Sequence, residues 1–149
     1  MRIREATVQD IPTLVMFQKN MAQETEGITL DESVLRRGLE ALFADPFKGA
    51  YYVAEVAERA VGCLMTTYEW SDWRNGTVLW IQSVYIAPDH RAQGVYRHLY
   101  EHLQQKVRTQ PGYRGIRLYV DKTNRAAQHV YEKLGMDGEH YQMYEWMKE

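Results

Sequence analysis

The chain has 149 residues, a formal net charge of −2, and 45% hydrophobic and 26% charged residues. This balance is typical of a globular protein of one domain, residues 1–149, and it lacks the basic excess of nucleic-acid-binding proteins. No apolar run approaches the ~20 residues that cross a bilayer. We therefore expect no nucleic-acid partner and no membrane association.

The N-terminus indicates the cellular location of the protein, and the cysteine content indicates its redox chemistry. Residues 1–5 lack the apolar core of a signal peptide, so we expect a cytoplasmic protein. Cys63 is the single cysteine, which excludes an internal disulfide and gives no zinc spacing. Because Cys63 lies in the apolar run 61–65, we expect a buried structural thiol and no metal site.

The first third of the chain predicts a strand and two helices. Residues 2–7 alternate as a strand does, and Asp10 is a plausible N-cap with Pro12 in the first helical turn. This helix is predicted to end in the polar stretch 23–27. Asp31 predicts the N-cap of a second helix, which Asp45-Pro46 ends.

Three strands with tight connections follow, at residues 51–56, 61–68 and 78–86. Glu58-Arg59 forms the first turn, and Asn75-Gly76 closes the second connection with a strong hairpin signal.

The second half predicts alternating helices and strands. A helix extends from Gly94 to about Thr109, and a strand from Gly115 to Val120. A fourth helix ends at Gly135, and a last, aromatic strand covers His140 to Lys148. The order β-α-α-β-β-β-α-β-α-β predicts an α/β fold in which four helices flank a mixed, mostly antiparallel central sheet.

The junction at residues 84–97 carries the first functional signal. An apolar strand ends at Pro88, a polar loop with Gly94 follows, and then a helix begins. Backbone N–H groups at a helix N-terminus lack intrahelical partners and favour an anion. A phosphate site is one interpretation; an ordinary turn is the other, since one glycine alone is weak evidence.

Two segments resemble the GNAT superfamily of acyl-CoA-dependent N-acetyltransferases. Arg91-Ala92-Gln93-Gly94-Val95-Tyr96 is similar to the family's pyrophosphate signature, Arg/Gln-x-x-Gly-x-Gly/Ala. Residues 124–136 resemble its Asn-x-x-Ala-x-x-x-Tyr-x-x-x-Gly-Phe segment. The order of elements agrees over nearly the whole chain, so the resemblance implies the GNAT fold with splayed central strands.

The resemblance also implies acetyl-CoA as co-substrate, held where the central strand and the strand 116–120 splay apart. The pantetheine arm would pair with the backbone of the central strand, and the pyrophosphate would lie on the N–H groups that follow Gln93. The implied cofactor-binding residues are Val84, Tyr85, Ile86, Arg91, Ala92, Gln93, Gly94, Val95, Tyr96, Arg97 and Asn124. Tyr96 departs from the family's Gly/Ala, and it can instead belong to the helix core with Tyr100.

Tyr131 matches the tyrosine to which the family assigns protonation of the leaving thiolate. A phenol with an ordinary pKa near 10 stays protonated at neutral pH and can donate a proton. The alternative is a core aromatic on the helix's apolar face. Asn124 likewise matches a cofactor contact but also suits a helix cap.

The sequence does not identify the general base that would deprotonate the amine. Some family members use a strand glutamate, and Trp80 stands at that position here. The remaining candidates are a bound water or one of Glu24, Glu26, Glu69, Asp72 and His140.

In the resemblance, the segments that build the family's acceptor site are acidic and aromatic here: they hold Glu24, Glu26, Asp31, Glu32, Glu69 and Asp72, with Trp70 and Trp73. We therefore expect a cationic small-molecule or peptide amine as acceptor.

The predicted function is acetyl transfer from acetyl-CoA to a primary amine by direct attack. A non-catalytic acyl-CoA sensor or structural module is the alternative, because the strand glutamate is missing. A nucleotide-binding domain is disfavoured, since neither Gly-x-x-x-x-Gly-Lys-Ser/Thr nor Gly-x-Gly-x-x-Gly occurs. The aromatic last strand allows a homodimer or completion of the core.

Overall fold

Five strands form one mixed sheet in the computed structural model, which describes residues 1–149. The strands, in chain order and in sheet order alike, are β1 (Arg2–Glu5), β2 (Ala50–Val56), β3 (Arg59–Ser71), β4 (Gly76–Ile86) and β5 (Tyr113–Leu118). The β4–β5 pairing is parallel and the others are antiparallel. This confirms the predicted mixed, mostly antiparallel sheet, although β3 is longer and β5 ends earlier than expected.

The sheet belongs to the first of two compact units, residues 1–118 and residues 119–149. The first unit also holds α1 (Ile11–Glu26), α2 (Glu32–Ala44), α3 (Val95–Thr109) and 3-10 turns at Val8–Asp10 and Pro88–His90. The second unit holds α4 (Arg125–Lys133). None of these helices combines the length and apolar character that a bilayer crossing requires.

Helices pack on both faces of the sheet because alternate strand residues point to opposite sides. Tyr51 and Val53 of β2 join the core formed with α1 and α2. Tyr52, between them, meets α3, where Lys106 donates a hydrogen bond to its hydroxyl at 2.8 Å. The α3 helix contributes Leu99 and Leu103, which are almost completely buried.

The start of α1 differs from the prediction, whereas its end falls within the predicted stretch 23–27. Asp10 does not cap α1 with its side chain; its carboxylate accepts from the Arg4 guanidinium and the Thr7 N–H, each at 2.8 Å. The polar stretch 23–26 is helical, and the helix ends at Gly27 with φ 64°. Glycine favours the left-handed backbone at this position. The C-cap glycine therefore determines where α1 ends, and the polar side chains before it do not.

The second helix follows its sequence signals. The Asp31 carboxylate accepts from the N–H groups of Ser33 and Val34, and the helix ends before Asp45. Both termini confirm the prediction.

The pairing of β4 with β5 ends before β4 does. Ile81 pairs with Leu118 in the last parallel contact, whereas β4 continues beside β3 to Ile86. Residues 82–86 therefore have β3 on one side and no strand of this sheet on the other. This is the splayed arrangement that the resemblance implied.

In the second unit, Gly135 with φ 88° follows α4 as predicted. The predicted strand at His140–Lys148 is wrong: residues 141–149 form neither helix nor strand, and Tyr144 and Trp146 are exposed. A strand needs a partner for its backbone hydrogen bonds, and aromatic alternation indicates a propensity without supplying that partner.

We expect Leu99→Ala to lower the free energy of unfolding by about 2–5 kcal/mol, since it leaves a cavity where α3 packs on the sheet. Urea unfolding measures this loss. Val34→Ala on α2, where the side chain is exposed, is the matched control and should stay within about 0.5 kcal/mol. Equal losses in both variants would contradict the packing described for α3.

Candidate active site

A β-bulge interrupts β4 just before its open end. Met65 pairs with Gln82 and Cys63 with Tyr85, so Ser83 and Val84 stand opposite a single residue of β3. Ser83 has φ 54°, a left-handed conformation that costs a non-glycine residue about 1–3 kcal/mol. A strained residue of this kind persists only where neighbouring groups hold it in place.

Two buried side chains hold the Ser83 carbonyl. Gln18 of α1 donates from Nε2 to this oxygen at 3.3 Å, and the Cys63 thiol donates to it at 3.7 Å. Gln18 Nε2 also lies 3.8 Å from the Cys63 sulfur. Burial raises the pKa of the Cys63 thiol to about 12, so at neutral pH the thiol keeps its proton and can donate. The predicted structural role of Cys63 agrees with this position.

The backbone of the β4 end points alternately to its two sides. The Ala87 N–H donates to the Val61 carbonyl of β3 at 2.8 Å, and Tyr85 pairs with Cys63. The backbone groups of Val84 and Ile86, between these residues, therefore face the edge that β5 has left. The backbone of Tyr85 faces β3, and its ring packs on Phe17 with centroids 5.1 Å apart.

The loop after β4 presents a helix N-terminus. Ala92 and Gly94 have φ 59° and 78°, and α3 begins at Val95. The His98 N–H donates to the Gly94 carbonyl at 3.1 Å and begins the helical hydrogen-bond series. The N–H groups of residues 93–97 precede that series, so the loop has the donors and the dipole that an anion requires.

The charged side chains near this loop already have protein partners. Arg91 donates to the Ile86 carbonyl at 2.9 Å and forms an ion pair with Glu24 of α1 at 2.7 Å. Arg97 pairs with Glu101 one helical turn later at 2.8 Å. Positive charge is thus partly neutralised here, which leaves backbone N–H groups as the main donors for an anion.

Gln93 and Tyr96 complete the loop. Gln93 donates from its side chain to the Asp89 carbonyl at 3.0 Å, and the Tyr96 ring stacks on Tyr100 with centroids 6.2 Å apart. The stacking agrees with the alternative in which Tyr96 is part of the helix's aromatic packing. Val95 is buried beneath the loop.

A polar cluster lies on β3, β4 and β5, on the face toward which Trp80 points. Glu69 accepts from Trp80 Nε1 at 2.7 Å and from Arg117 at 2.8 Å. The hydrogen bond from Arg117, followed by that from Trp80, lowers the pKa of the Glu69 carboxyl. A carboxylate stabilised in its charged form is a weak proton acceptor, which argues against Glu69 as general base.

The other expected acidic groups are largely engaged as well. Glu24 is paired with Arg91, Glu32 with Lys19 at 2.9 Å, and Asp31 caps α2. Trp70 and Trp73 remain 65% and 94% exposed at the β3–β4 connection. The aromatic part of the expected acceptor surface is therefore accessible, and much of its acidity is neutralised.

The second unit carries the two remaining predicted residues. The Asn124 side chain accepts from the Ala127 N–H at 3.1 Å, so Asn124 caps α4. Tyr131 is half-buried, and burial raises the pKa of its phenol. His140, a candidate base, lies 3.1 Å from the Asp137 carboxylate.

Sequence reasoning missed Gln18 and Ser83. Leu14, Gln18 and Ala22 are spaced by four residues on α1, and all three are buried. A polar residue on the core-facing stripe of an amphipathic helix was the available signal for Gln18. No sequence signal marks Ser83, because serine has no preference for left-handed backbone.

Comparison with known proteins identifies the family. The model of the acetyltransferase (GNAT) family matches residues 16–136. A possible acetyltransferase from Clostridium difficile 630 is 44% identical, with a TM-score of 0.92 and coverage of 99% of this chain and 97% of that chain. A probable acetyltransferase is 24% identical, with a TM-score of 0.87 over 100% of this chain and 99% of its own.

A more distant structure shares the fold alone. The ribosomal-protein-alanine N-acetyltransferase from Brucella melitensis biovar Abortus 2308 is 15% identical, with a TM-score of 0.79 over 99% of this chain and 100% of its own. No curated protein matches the chain. The family model covers most of the sequence, and its members use acetyl-CoA in acyl transfer to amines. The chain therefore belongs to the GNAT acetyltransferase family and is an acyltransferase.

Proposed function

We propose that this enzyme transfers the acetyl group of acetyl-CoA to a primary amine, by direct attack within a ternary complex. The observation that carries the proposal is the open edge of β4 at Val84 and Ile86, followed within one loop by the N-terminus of α3. Together these features offer backbone groups for the pantetheine amides and N–H groups for the pyrophosphate.

The proposed donor site consists mainly of backbone. Pantetheine amides would pair with the Val84 carbonyl and with the Ile86 peptide groups as an added strand does, and the diphosphate would accept from the N–H groups of residues 93–97. The Ile86 carbonyl accepts from Arg91 at 2.9 Å, and its second lone pair leaves room for a ligand N–H. The absence of a side chain at Gly94 suits a close approach of phosphate.

Direct attack is favoured because no residue of the first unit stands out as an acyl carrier. Cys63, the one thiol, is fully buried, and burial raises its pKa to about 12. In the proposed reaction the neutral amine forms a C–N bond with the acetyl carbon, and negative charge develops on the carbonyl oxygen. A backbone N–H at the open edge of β4 would stabilise that charge.

Tyr131 is the proposed acid. The C–S bond breaks, the electron pair leaves with sulfur, and the phenol gives the thiolate its proton. The attacking nitrogen releases one proton to solvent and the phenolate takes one back from solvent, so the products are the amide and coenzyme A. Burial raises the pKa of Tyr131, so the phenol stays protonated at neutral pH. Asn124, the cap of α4, would assist by contacting the cofactor arm while it holds the helix start.

The proposed acceptor is a cationic amine, either a small molecule or a peptide amine. Exposed indoles at Trp70 and Trp73 support this class because aromatic faces attract cations. Thiol release from acetyl-CoA, measured over a panel of cationic, neutral and anionic amines, tests the proposal. Release with cationic amines is expected; turnover of neutral or anionic amines alone would refute the acceptor class, and binding without any release would refute catalysis of amine acetylation.

Gly94→Glu should weaken coenzyme A binding about tenfold or more. The new carboxylate would stand at the helix N-terminus beside the diphosphate, at a left-handed position that favours glycine. Isothermal titration calorimetry with coenzyme A measures the dissociation constant. Gly27→Glu is the control, because it adds the same charge at φ 64° in open space at the end of α1. Equal losses of coenzyme A affinity in both variants would contradict a diphosphate site at Gly94.

Tyr131→Phe should lower kcat by about 10²–10⁴-fold, the usual contribution of a positioned acid. The dissociation constant for acetyl-CoA should change by no more than about twofold, since the ring stays. Steady-state thiol release and calorimetry give the two quantities. Tyr144→Phe serves as the control, because that ring is 86% exposed in the same unit. An unchanged kcat would remove Tyr131 from the mechanism.

A further inference from the structure

We propose that Gln18 is a positioning residue for acyl transfer, acting through the Ser83 carbonyl on the direction of the Val84 N–H. The inference rests on the proposed function and deepens it, because it names a buried side chain that fixes the direction of the backbone donor. Gln18 touches no substrate in this account; it determines where a backbone donor points.

The burial of Gln18 is the first observation. This side chain is 5% exposed on the stripe of α1 that faces the sheet. A buried amide is costly unless it forms hydrogen bonds, and its Nε2 donates to the Ser83 carbonyl across the core. An apolar residue would fill the same volume without the free-energy cost of burying an amide. The hydrogen bond to Ser83 therefore indicates a role for Gln18 besides packing.

The second observation is that side chains from three elements converge on Ser83. Gln18 from α1 and Cys63 from β3 donate to its carbonyl at 3.3 and 3.7 Å. From β2, Tyr51 reaches the Ser83 side chain: burial raises the pKa of the Tyr51 phenol, and its hydrogen bond with Ser83 opposes the shift. These contacts hold a non-glycine residue at φ 54°.

Peptide geometry links this carbonyl to the donor. The C=O of Ser83 and the N–H of Val84 belong to one planar trans peptide and point in opposite directions. Since the carbonyl points toward the Gln18 and Cys63 side chains, the Val84 N–H points away from both of them. Tyr85 pairs with Cys63 of β3, so strand alternation directs the backbone groups of Val84 to the edge where β4 has no partner, which is the edge proposed for the thioester.

Loss of the amide donor should thus affect chemistry more than binding. Without Gln18 Nε2, the bulge loses a hydrogen bond that opposes relaxation of Ser83, and the Val84 N–H loses its fixed direction. Coenzyme A itself has no acetyl carbonyl, and the loop at residues 93–97 makes no hydrogen bond with Gln18. The dissociation constant of coenzyme A should therefore stay nearly constant.

The test compares Gln18→Met, which keeps the chain length and removes the donor, with a matched control. Thr66→Val removes another buried donor of the same sheet, a hydroxyl that lies 3.4 Å from the Ala50 carbonyl and is directed to β2 instead of to Ser83. A second pair of variants keeps the test valid if Gln18→Met folds poorly. Cys63→Ala removes the thiol that donates to the Ser83 carbonyl, and Cys63→Ser retains a donor there.

We expect Gln18→Met to lower kcat about 10–100-fold, somewhat less than removal of an oxyanion donor itself, while the coenzyme A dissociation constant changes less than about twofold. The kcat of Thr66→Val should stay within about twofold of the wild-type value, and the kcat of Cys63→Ser should be higher than that of Cys63→Ala. Equal kcat losses in Gln18→Met and Thr66→Val, or a parallel loss of coenzyme A affinity, would overturn the positioning role.

A readout without an amine separates this inference from the proposed function. In the wild type, acetyl-CoA should shift the Val84 amide proton resonance further than coenzyme A does, and Gln18→Met should abolish that difference. An unchanged difference in Gln18→Met would overturn the inference while the proposed function stands. Failure of the wild type to bind acetyl-CoA would refute the proposed function and this role together.

Discussion

The early end of the β4–β5 pairing is the constraint on which the site depends. Parallel hydrogen bonds stop at Ile81 and Leu118, yet β4 continues to Ile86 because β3 still pairs with its other side. Unpaired peptide groups are strong donors and acceptors that a ligand with amides of its own can satisfy. The chain thus exposes main-chain groups inside a sheet instead of at its outer edge.

The proposed donor site is assembled from backbone positions held by buried side chains. Val84 and Ile86 offer peptides at the open edge, and residues 93–97 offer the N-terminus of α3. The nearby guanidinium of Arg91 is engaged with Glu24 and with the Ile86 carbonyl. Main-chain groups keep their hydrogen-bonding capacity whatever side chains surround them, so the proposed site would tolerate variation of surface residues.

The fold was predictable to the extent that local signals determine it. Asp31, Gly94 and Gly135 marked helix ends correctly because caps depend on a few neighbouring residues. The strand expected at His140–Lys148 failed because pairing depends on a distant partner that no local pattern specifies.

The candidate site was predictable in its backbone loop and less so in its side chains. The motif at residues 91–96 located the helix N-terminus, but the bonds of Arg91 to Glu24 and of Gln18 to Ser83 join residues 67 and 65 positions apart. Such contacts arise from tertiary packing of α1 on β4. The left-handed backbone of Ser83 likewise follows from the register of β3 against β4 and not from serine itself.

Hydrogen–deuterium exchange with and without coenzyme A tests the central claim most directly. Slower exchange is expected at the amides of Ile86 and residues 93–97 when coenzyme A is bound, because those N–H groups would donate to the ligand. Protection confined to other parts of the chain, with these amides unchanged, would contradict it.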